Sequence, residues 1–94
     1  MKQARKQILQ QYGAMKKADV CIHDQDELLC TYKTKTMTKA VFMTDILDRE
    51  TFKRLCKLMN ELNAQKMVVY CEYAYYDSPS TIEIILNRDM QTME

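Results

Sequence analysis

Glycine and proline are almost absent from this sequence, since Gly13 and Pro79 are the only residues of their kinds. A glycine-rich phosphate loop needs several positions where the backbone approaches a phosphate closely, which only glycine permits. The common glycine-loop nucleotide-binding enzymes are therefore excluded. Residues 1–11 are polar and cationic, and no apolar run approaches the ~20 residues of a membrane helix, so we expect a cytoplasmic protein without a signal peptide.

Histidine is also scarce, since His23 is the only one, and the four cysteines form no C-x-x-C pair. A catalytic pair would have to combine His23 with Cys21 or Cys30, and nothing else in the chain resembles a group that orients them. Cys21, His23 and Cys30 are also potential zinc ligands, but a structural zinc site needs four ligands. We therefore predict no enzyme, no metal and no cofactor, with reduced and mostly buried thiols. A zinc or thiol protein is the weakest functional alternative.

The residues that are present have the composition of an ordinary globular protein, with 47% hydrophobic and 29% charged residues and a formal net charge of +1. A chain of 94 residues is long enough for one domain with a core of two layers. We predict a single domain over residues 1–94, in which residues 88–94 form a loose polar tail.

Two helices are predicted from apolar periodicity. In residues 2–17, Ile8 and Tyr12 fall on one narrow apolar stripe, which indicates a helix at the edge of the core. The clearer helix begins at Asp48, a favourable N-cap residue, and ends at Gln65. Its apolar face consists of Phe52, Leu55, Cys56, Met59 and Leu62.

Strand-like runs fill much of the rest of the chain, at residues 18–23, 28–43, 66–76 and 81–87. The second run fits either one long strand or a hairpin that bends within residues 34–38. Short connections favour antiparallel pairing, so the last two strands are expected to form a terminal hairpin.

The predicted fold is therefore α+β, with one mostly antiparallel sheet of about four to five strands. The helix from Asp48 to Gln65 packs on one face of this sheet. The opening element order, α-β-β-β-α, resembles that of a double-stranded-RNA-binding domain. The lysine-rich start of that family's second helix is absent here, and no residue role is transferred.

Four of the six tyrosines lie within YCEYAYYD, residues 70–77. Strand alternation predicts that Tyr73 and Tyr75 lie on the core face, whereas Tyr70, Glu72 and Tyr76 lie on the opposite face. Cross-strand stabilisation of a sheet is the commoner role of such tyrosines. Our functional hypothesis is that the second face is an exposed contact patch. Its acidic surroundings favour a protein partner, because they repel the phosphates of nucleic acid.

Charged residues are clustered although the net charge is small. The acidic turn formed by Asp24, Asp26 and Glu27 is predicted to contact the same protein partner. Basic residues of the first helix and of the second strand-like run would instead bind the phosphates of a nucleic acid, if the fold brings these residues together. The candidate nucleic-acid-binding residues are Lys2, Arg5, Lys6, Lys16, Lys17, Lys33, Lys35 and Lys39.

The preferred interpretation is a small non-enzymatic protein that binds a protein partner. Separate acidic and basic patches suit a partner that itself handles nucleic acid, and small inhibitors of such enzymes from phages or mobile elements have this profile. The alternative is a small nucleic-acid-binding regulator that uses the basic first helix and the lysines at 33, 35 and 39.

The irregular cysteine spacing leads to a first prediction about folding. The melting temperature is expected to be the same with and without a chelator, and with and without a reductant, because neither a metal nor a disulfide is needed to fold the chain. Thermal melts under these four conditions check this. A large drop with chelator would indicate a structural metal, and a large drop with reductant would indicate a disulfide.

Overall fold

A computed structural model describes residues 2–15, 19–75 and 82–86, with side chains described at all of these except 2–4, 85 and 86. The helices are α1 (Lys2–Gly13) and α2 (Arg49–Leu62). The strands are β1 (Val20–Gln25), β2 (Leu28–Lys33), β3 (Thr38–Met43), β4 (Ile46–Leu47), β5 (Lys66–Cys71), β6 (Tyr73–Ala74) and β7 (Ile82–Leu86). The predicted α+β class, with a five-stranded sheet and two helices in a single small domain, is confirmed.

The main sheet has the strand order β1-β2-β3-β5-β7. Strands β1, β2 and β3 pair antiparallel, whereas β3 with β5 and β5 with β7 pair parallel. The expected terminal hairpin is therefore wrong. After β5 the chain leaves the main sheet to form β6, which pairs with β4 in a separate two-stranded sheet, and β7 then runs in the same direction as β5.

Residues 28–43 form a hairpin, which settles the alternative that the sequence left open. Thr34 stabilises the turn of this hairpin. Its hydroxyl donates to the Met37 carbonyl and accepts from the Thr36 and Met37 amides. Such side-chain bonds replace the glycine or asparagine that tight turns usually need. The turn lies at the opposite end of the sheet from the β1–β2 turn, because β2 and β3 are antiparallel.

Helix α2 begins and ends with local hydrogen bonds that the sequence partly predicts. The Asp48 carboxylate accepts from the Thr51 amide at 2.9 Å, as an N-cap does. This bond lowers the pKa of the Asp48 carboxyl below its usual value. At the other end Asn63 takes the left-handed conformation, with φ at 56°, and the helix ends at Leu62, three residues earlier than predicted.

The two helices cover opposite faces of the sheet. On one face, α2 packs on a cluster that includes Phe42, Leu55 and Val69, each fully buried. On the other face, α1 packs on β1 and β2, and Ile8 is buried there beside Val41. The N-terminal helix thus lies over the edge half of the sheet, as predicted. Neither described helix is long and apolar enough to cross a membrane.

The core position of α2 can be tested with one substitution. Leu55→Ala is expected to lower the free energy of unfolding by roughly 2–5 kcal/mol, because Leu55 is fully buried and its removal leaves a cavity. Chemical denaturation measures this loss. The control is Lys57→Ala on the exposed side of the same helix, which is expected to change stability by less than ~0.5 kcal/mol. Equal stability of both variants would contradict the packing.

Candidate functional site

Tyr70, the centre of the predicted contact patch, is buried rather than exposed. It is 4% exposed, because α1 covers the face of the sheet to which it points. Its hydroxyl lies 3.2 Å from the Tyr12 hydroxyl, and either oxygen can be the donor. The prediction that Tyr70 lies on an open face is therefore wrong. Tyr76 lies outside the described residues.

A small cluster of tyrosines lies between α1 and the sheet, with Tyr70 buried and Tyr12 and Tyr32 half-buried. The rings of Tyr12 and Tyr32 are 5.5 Å apart, and the Cys30 thiol lies in the same buried cluster. Burial raises the pKa of the Tyr12 and Tyr70 hydroxyls above their usual range and raises the pKa of the Cys30 thiol to about 11. All three groups are therefore neutral at pH 7, and the contacts of Tyr12 with Tyr70 and Tyr32 join α1 to the sheet.

Tyr73 and Tyr75 point to solvent, whereas strand alternation predicts that they lie on the core face. They are 61% and 74% exposed. The cause is a bend at Glu72, where the Asp45 carbonyl accepts from both the Glu72 and the Tyr73 amide, at 3.0 and 3.1 Å. The bend ends β5 and starts β6, so the alternation that holds for residues 67–71 does not continue past it.

The small sheet formed by β4 and β6 arranges these side chains into one surface. Ile46 lies opposite Tyr73 in the register, and Leu47 lies opposite Ala74. Leu47 is fully buried and Ala74 packs on the core, so their neighbours Ile46 and Tyr73 point to solvent. The Tyr75 amide donates to the Leu47 carbonyl at 3.0 Å, which keeps Tyr75 on the same outward side. We call Ile46, Tyr73 and Tyr75 the aromatic patch.

Carboxylates adjoin the residues of the aromatic patch in the chain. Asp45 and Asp48 flank β4, and Glu72 precedes β6; all three are exposed. Glu72 was predicted as a contact residue and lies at this rim. Ile46 was not predicted, since a two-residue strand between two acids leaves almost no periodic signal.

The predicted acidic turn lies at the same end of the sheet, because the Met43 amide donates to the Glu27 carbonyl at 2.8 Å. Two of its acids are paired within the protein. Asp24 accepts from Arg5 at 2.9 Å, and Glu27 binds Arg54 through two hydrogen bonds. Asp26 is exposed, in the left-handed conformation. These ion pairs connect the turn to α1 and to α2, and they offset part of the negative charge that the sequence of the turn indicates.

Basic residues gather at the opposite end of the sheet. Lys33 and Lys35 are exposed at the β2–β3 turn, and the Lys39 ammonium lies 5.8 Å from the centre of the Tyr32 ring. Because Tyr32 also contacts Tyr12, the C-terminal half of α1 lies near this end. Arg5 of α1 is paired with Asp24 at the acidic end and therefore does not join these lysines. Lys6 is exposed on the same helix. Lys16 and Lys17 lie outside the described residues, as does the side chain of Lys2.

The three candidate zinc ligands are not brought together. In the register of β1 with β2, Cys30 lies opposite Ile22, whereas Cys21 lies opposite Thr31 on the other face of the sheet. His23 shares the face of Cys21, with its Nε2 atom 3.4 Å from the Thr31 hydroxyl. Within the part of the chain that the structure describes, no three His, Cys, Asp or Glu side chains are grouped to hold a metal.

Comparison with protein-family models, with curated proteins and with solved structures finds no significant match to this chain.

The positions of the tyrosines lead to a prediction opposite to the one from strand alternation. Tyr70→Ala is expected to cost ~3–5 kcal/mol of unfolding free energy, as large aromatic truncations in a core do. Tyr73→Ala is expected to cost less than ~0.5 kcal/mol, because its ring is mostly in solvent. Denaturant titrations of the two variants provide the comparison.

A third variant tests the hydroxyl pair alone. Tyr70→Phe keeps the ring and removes one partner of the 3.2 Å contact, so a loss of ~1 kcal/mol is expected. If Tyr70→Ala were as stable as Tyr73→Ala, the burial of Tyr70 under α1 would be refuted.

Proposed function

We propose that this chain is a small protein-binding protein and that the aromatic patch is its contact surface. The supporting observation is the exposure of Ile46, Tyr73 and Tyr75, at 43%, 61% and 74%, on one side of the β4–β6 sheet. Tyrosine is enriched at protein interfaces, because a rigid ring supplies a large apolar area at a small entropic cost and its hydroxyl still tolerates water. Adjacent exposed apolar side chains of this kind mark interaction sites more often than single ones do.

The acidic rim indicates the chemistry of the partner. Asp45, Asp48 and Glu72 adjoin the patch residues in the chain, and the two ion pairs between described residues, Arg5–Asp24 and Arg54–Glu27, involve none of the three. Asp48 is also the N-cap of α2 and is influenced by the charge of Arg54. Complementary charge steers association and excludes wrong partners, so the partner surface is basic around an apolar centre. Enzymes that handle nucleic acid have such basic surfaces. Inhibition of one of these enzymes by occupying that surface, as phage and mobile-element inhibitors do, is the specific form of this proposal.

A second candidate function is binding of nucleic acid at the opposite end of the sheet. Arg5 of α1 is paired with Asp24 at the acidic end, so the support comes from the lysines at the β2–β3 turn. Lys33, Lys35 and Lys39 lie there, and Lys39 also lies opposite Lys66 in the register of β3 with β5. Convergence of basic groups is the condition that a phosphate-binding surface requires.

The two candidates predict different losses from two matched double variants. Tyr73→Ala with Tyr75→Ala removes the exposed rings, and Lys33→Ala with Lys35→Ala removes exposed charge at the other end; both are expected to melt like the parent. Affinity purification with each chain as bait, from nuclease-treated extracts of the organism that encodes it, identifies the partner. The tyrosine variant is expected to lose the protein that the parent and the lysine variant retain.

Titration with the purified partner then gives the magnitude. Each tyrosine is expected to contribute ~2 kcal/mol or more to binding, as aromatic hot spots do. If the lysine variant loses the partner and the tyrosine variant retains it, the aromatic patch is not the contact surface. In a separate titration with single-stranded nucleic acid, weaker binding by the lysine variant than by the parent, with a steep dependence on salt, would favour the second candidate.

A further inference from the structure

Among residues 2–15, 19–75 and 82–86, no strand pairs with the outer edge of β1, so its outward backbone groups are open to another strand. Strand β1 is at one end of the described sheet. The Lys33 amide donates to the Asp19 carbonyl at 2.8 Å, so Asp19 and Lys33 are a hydrogen-bonded pair. Such pairs alternate with non-bonded pairs along an antiparallel ladder, so the next bonded pair is Cys21 with Thr31. The amides and carbonyls of Val20 and Ile22 therefore point away from β2.

Little protects this edge against another strand. Edge strands are usually blocked by a lysine, a proline or a bulge. Residues 19–23 read DVCIH, and Ile22 is 47% exposed there beside the exposed Cys21. The irregular part of β1 begins only afterwards, with a register shift between Ile22 and Gln25 and a left-handed Asp24 at φ 47°. The part of the edge before the left-handed Asp24 thus spans five residues, from Asp19 to His23, and the last pair in regular register with β2 is at Ile22.

We propose that this edge pairs antiparallel with the same edge of a second copy, about a two-fold axis at Cys21. The register follows from the outward-pointing amides and carbonyls of Val20 and Ile22. Each of these residues must lie opposite a residue of the second copy whose amide and carbonyl also point outward. The two-fold axis creates two pairs of Val20 with the partner's Ile22. Each pair makes two backbone hydrogen bonds, which gives four in total. A register centred on Ile22 would instead place Val20 opposite the partner's Asp24, where the left-handed backbone interrupts the strand.

The side chains are complementary in this register. On the α1 face, Val20 lies opposite the partner's Ile22, so the exposed isoleucine is buried against an apolar neighbour. On the other face, Asp19 lies opposite the partner's His23, a carboxylate acceptor facing an imidazole donor. Cys21 lies opposite the partner's Cys21. Five residues from each copy make a small interface, well below the ~1,600 Å² of a standard one, so the dimer is weak and reversible.

Thiol cross-linking tests the register. Diamide oxidises two facing thiols to one disulfide, and the two protons and two electrons released reduce diamide to its hydrazine. Every chain in this test carries Cys56→Ser, because Cys56 is half-buried on α2. In that background the parent is expected to form a covalent dimer and Cys21→Ser is expected to form none, since Cys30 and Cys71 are buried. In Cys21→Ser with Ile22→Cys, the new thiol faces the partner's Val20 instead of its own equivalent, so cross-linking is expected to be at least ~10-fold slower. Faster linking through the thiol at 22 than through Cys21 would overturn the proposed register.

Sedimentation under reducing conditions tests the pairing without a covalent bond. Ile22→Lys is expected to raise the dimer Kd by at least ~10-fold, because it places two like charges at the shared edge. Thr36→Lys adds the same charge in the exposed β2–β3 turn and is expected to leave the Kd unchanged. Thermal melts verify that each variant is folded. A parent chain that stays monomeric at the highest attainable concentration, or equal weakening by both lysines, would overturn the proposal.

Discussion

The parallel pairing of β3 with β5 determines most of what this molecule presents to its surroundings. These two strands lie at the centre of the sheet, and Val41, Phe42, Val68 and Val69 fill both of their faces with side chains that are 3% exposed or less. One helix must therefore cover each face. Tyr70 is then part of the core beneath α1, and Tyr73 and Tyr75, which follow it in the chain, are exposed to solvent only after β5 ends. The bend at Glu72, held by the Asp45 carbonyl, is where that happens.

The same pairing separates the surface charges. Parallel strands have their carboxyl ends at the same edge of a sheet, so the acids that follow β3 and the acid that follows β5 are gathered at one end: Asp45, Asp48 and Glu72. The β2–β3 turn, with Lys33 and Lys35, is at the other end because it precedes β3. A nearly neutral chain thus has two ends of opposite charge, and the exposed aromatic rings lie at the acidic end.

Much of the fold could be predicted from the sequence, because its signals are local. The N-cap at Asp48, the apolar face of α2 and the faces of residues 67–71 each follow from a few neighbouring residues. The parallel course of β7 and the exposure of Tyr73 could not be predicted in this way. Both depend on the departure of the chain at Glu72, which is stabilised by a carbonyl 27 residues away in sequence, at Asp45. The burial of Tyr70 depends likewise on Tyr12, which is 58 residues away.

The proposed dimer edge and the aromatic patch are separate surfaces, and the strand directions relate them. Strand β1 runs in the same direction as β3, because both are antiparallel to β2. Two copies joined through antiparallel β1 strands therefore direct their acidic ends oppositely, with one aromatic patch at each end of the joined sheet. Such a pair cannot place both patches on one compact site, but it can bridge two partner molecules or two distant sites on one assembly. Binding through both patches would then strengthen the overall attachment without any new contact, and only as long as the weak strand pairing holds the two copies together.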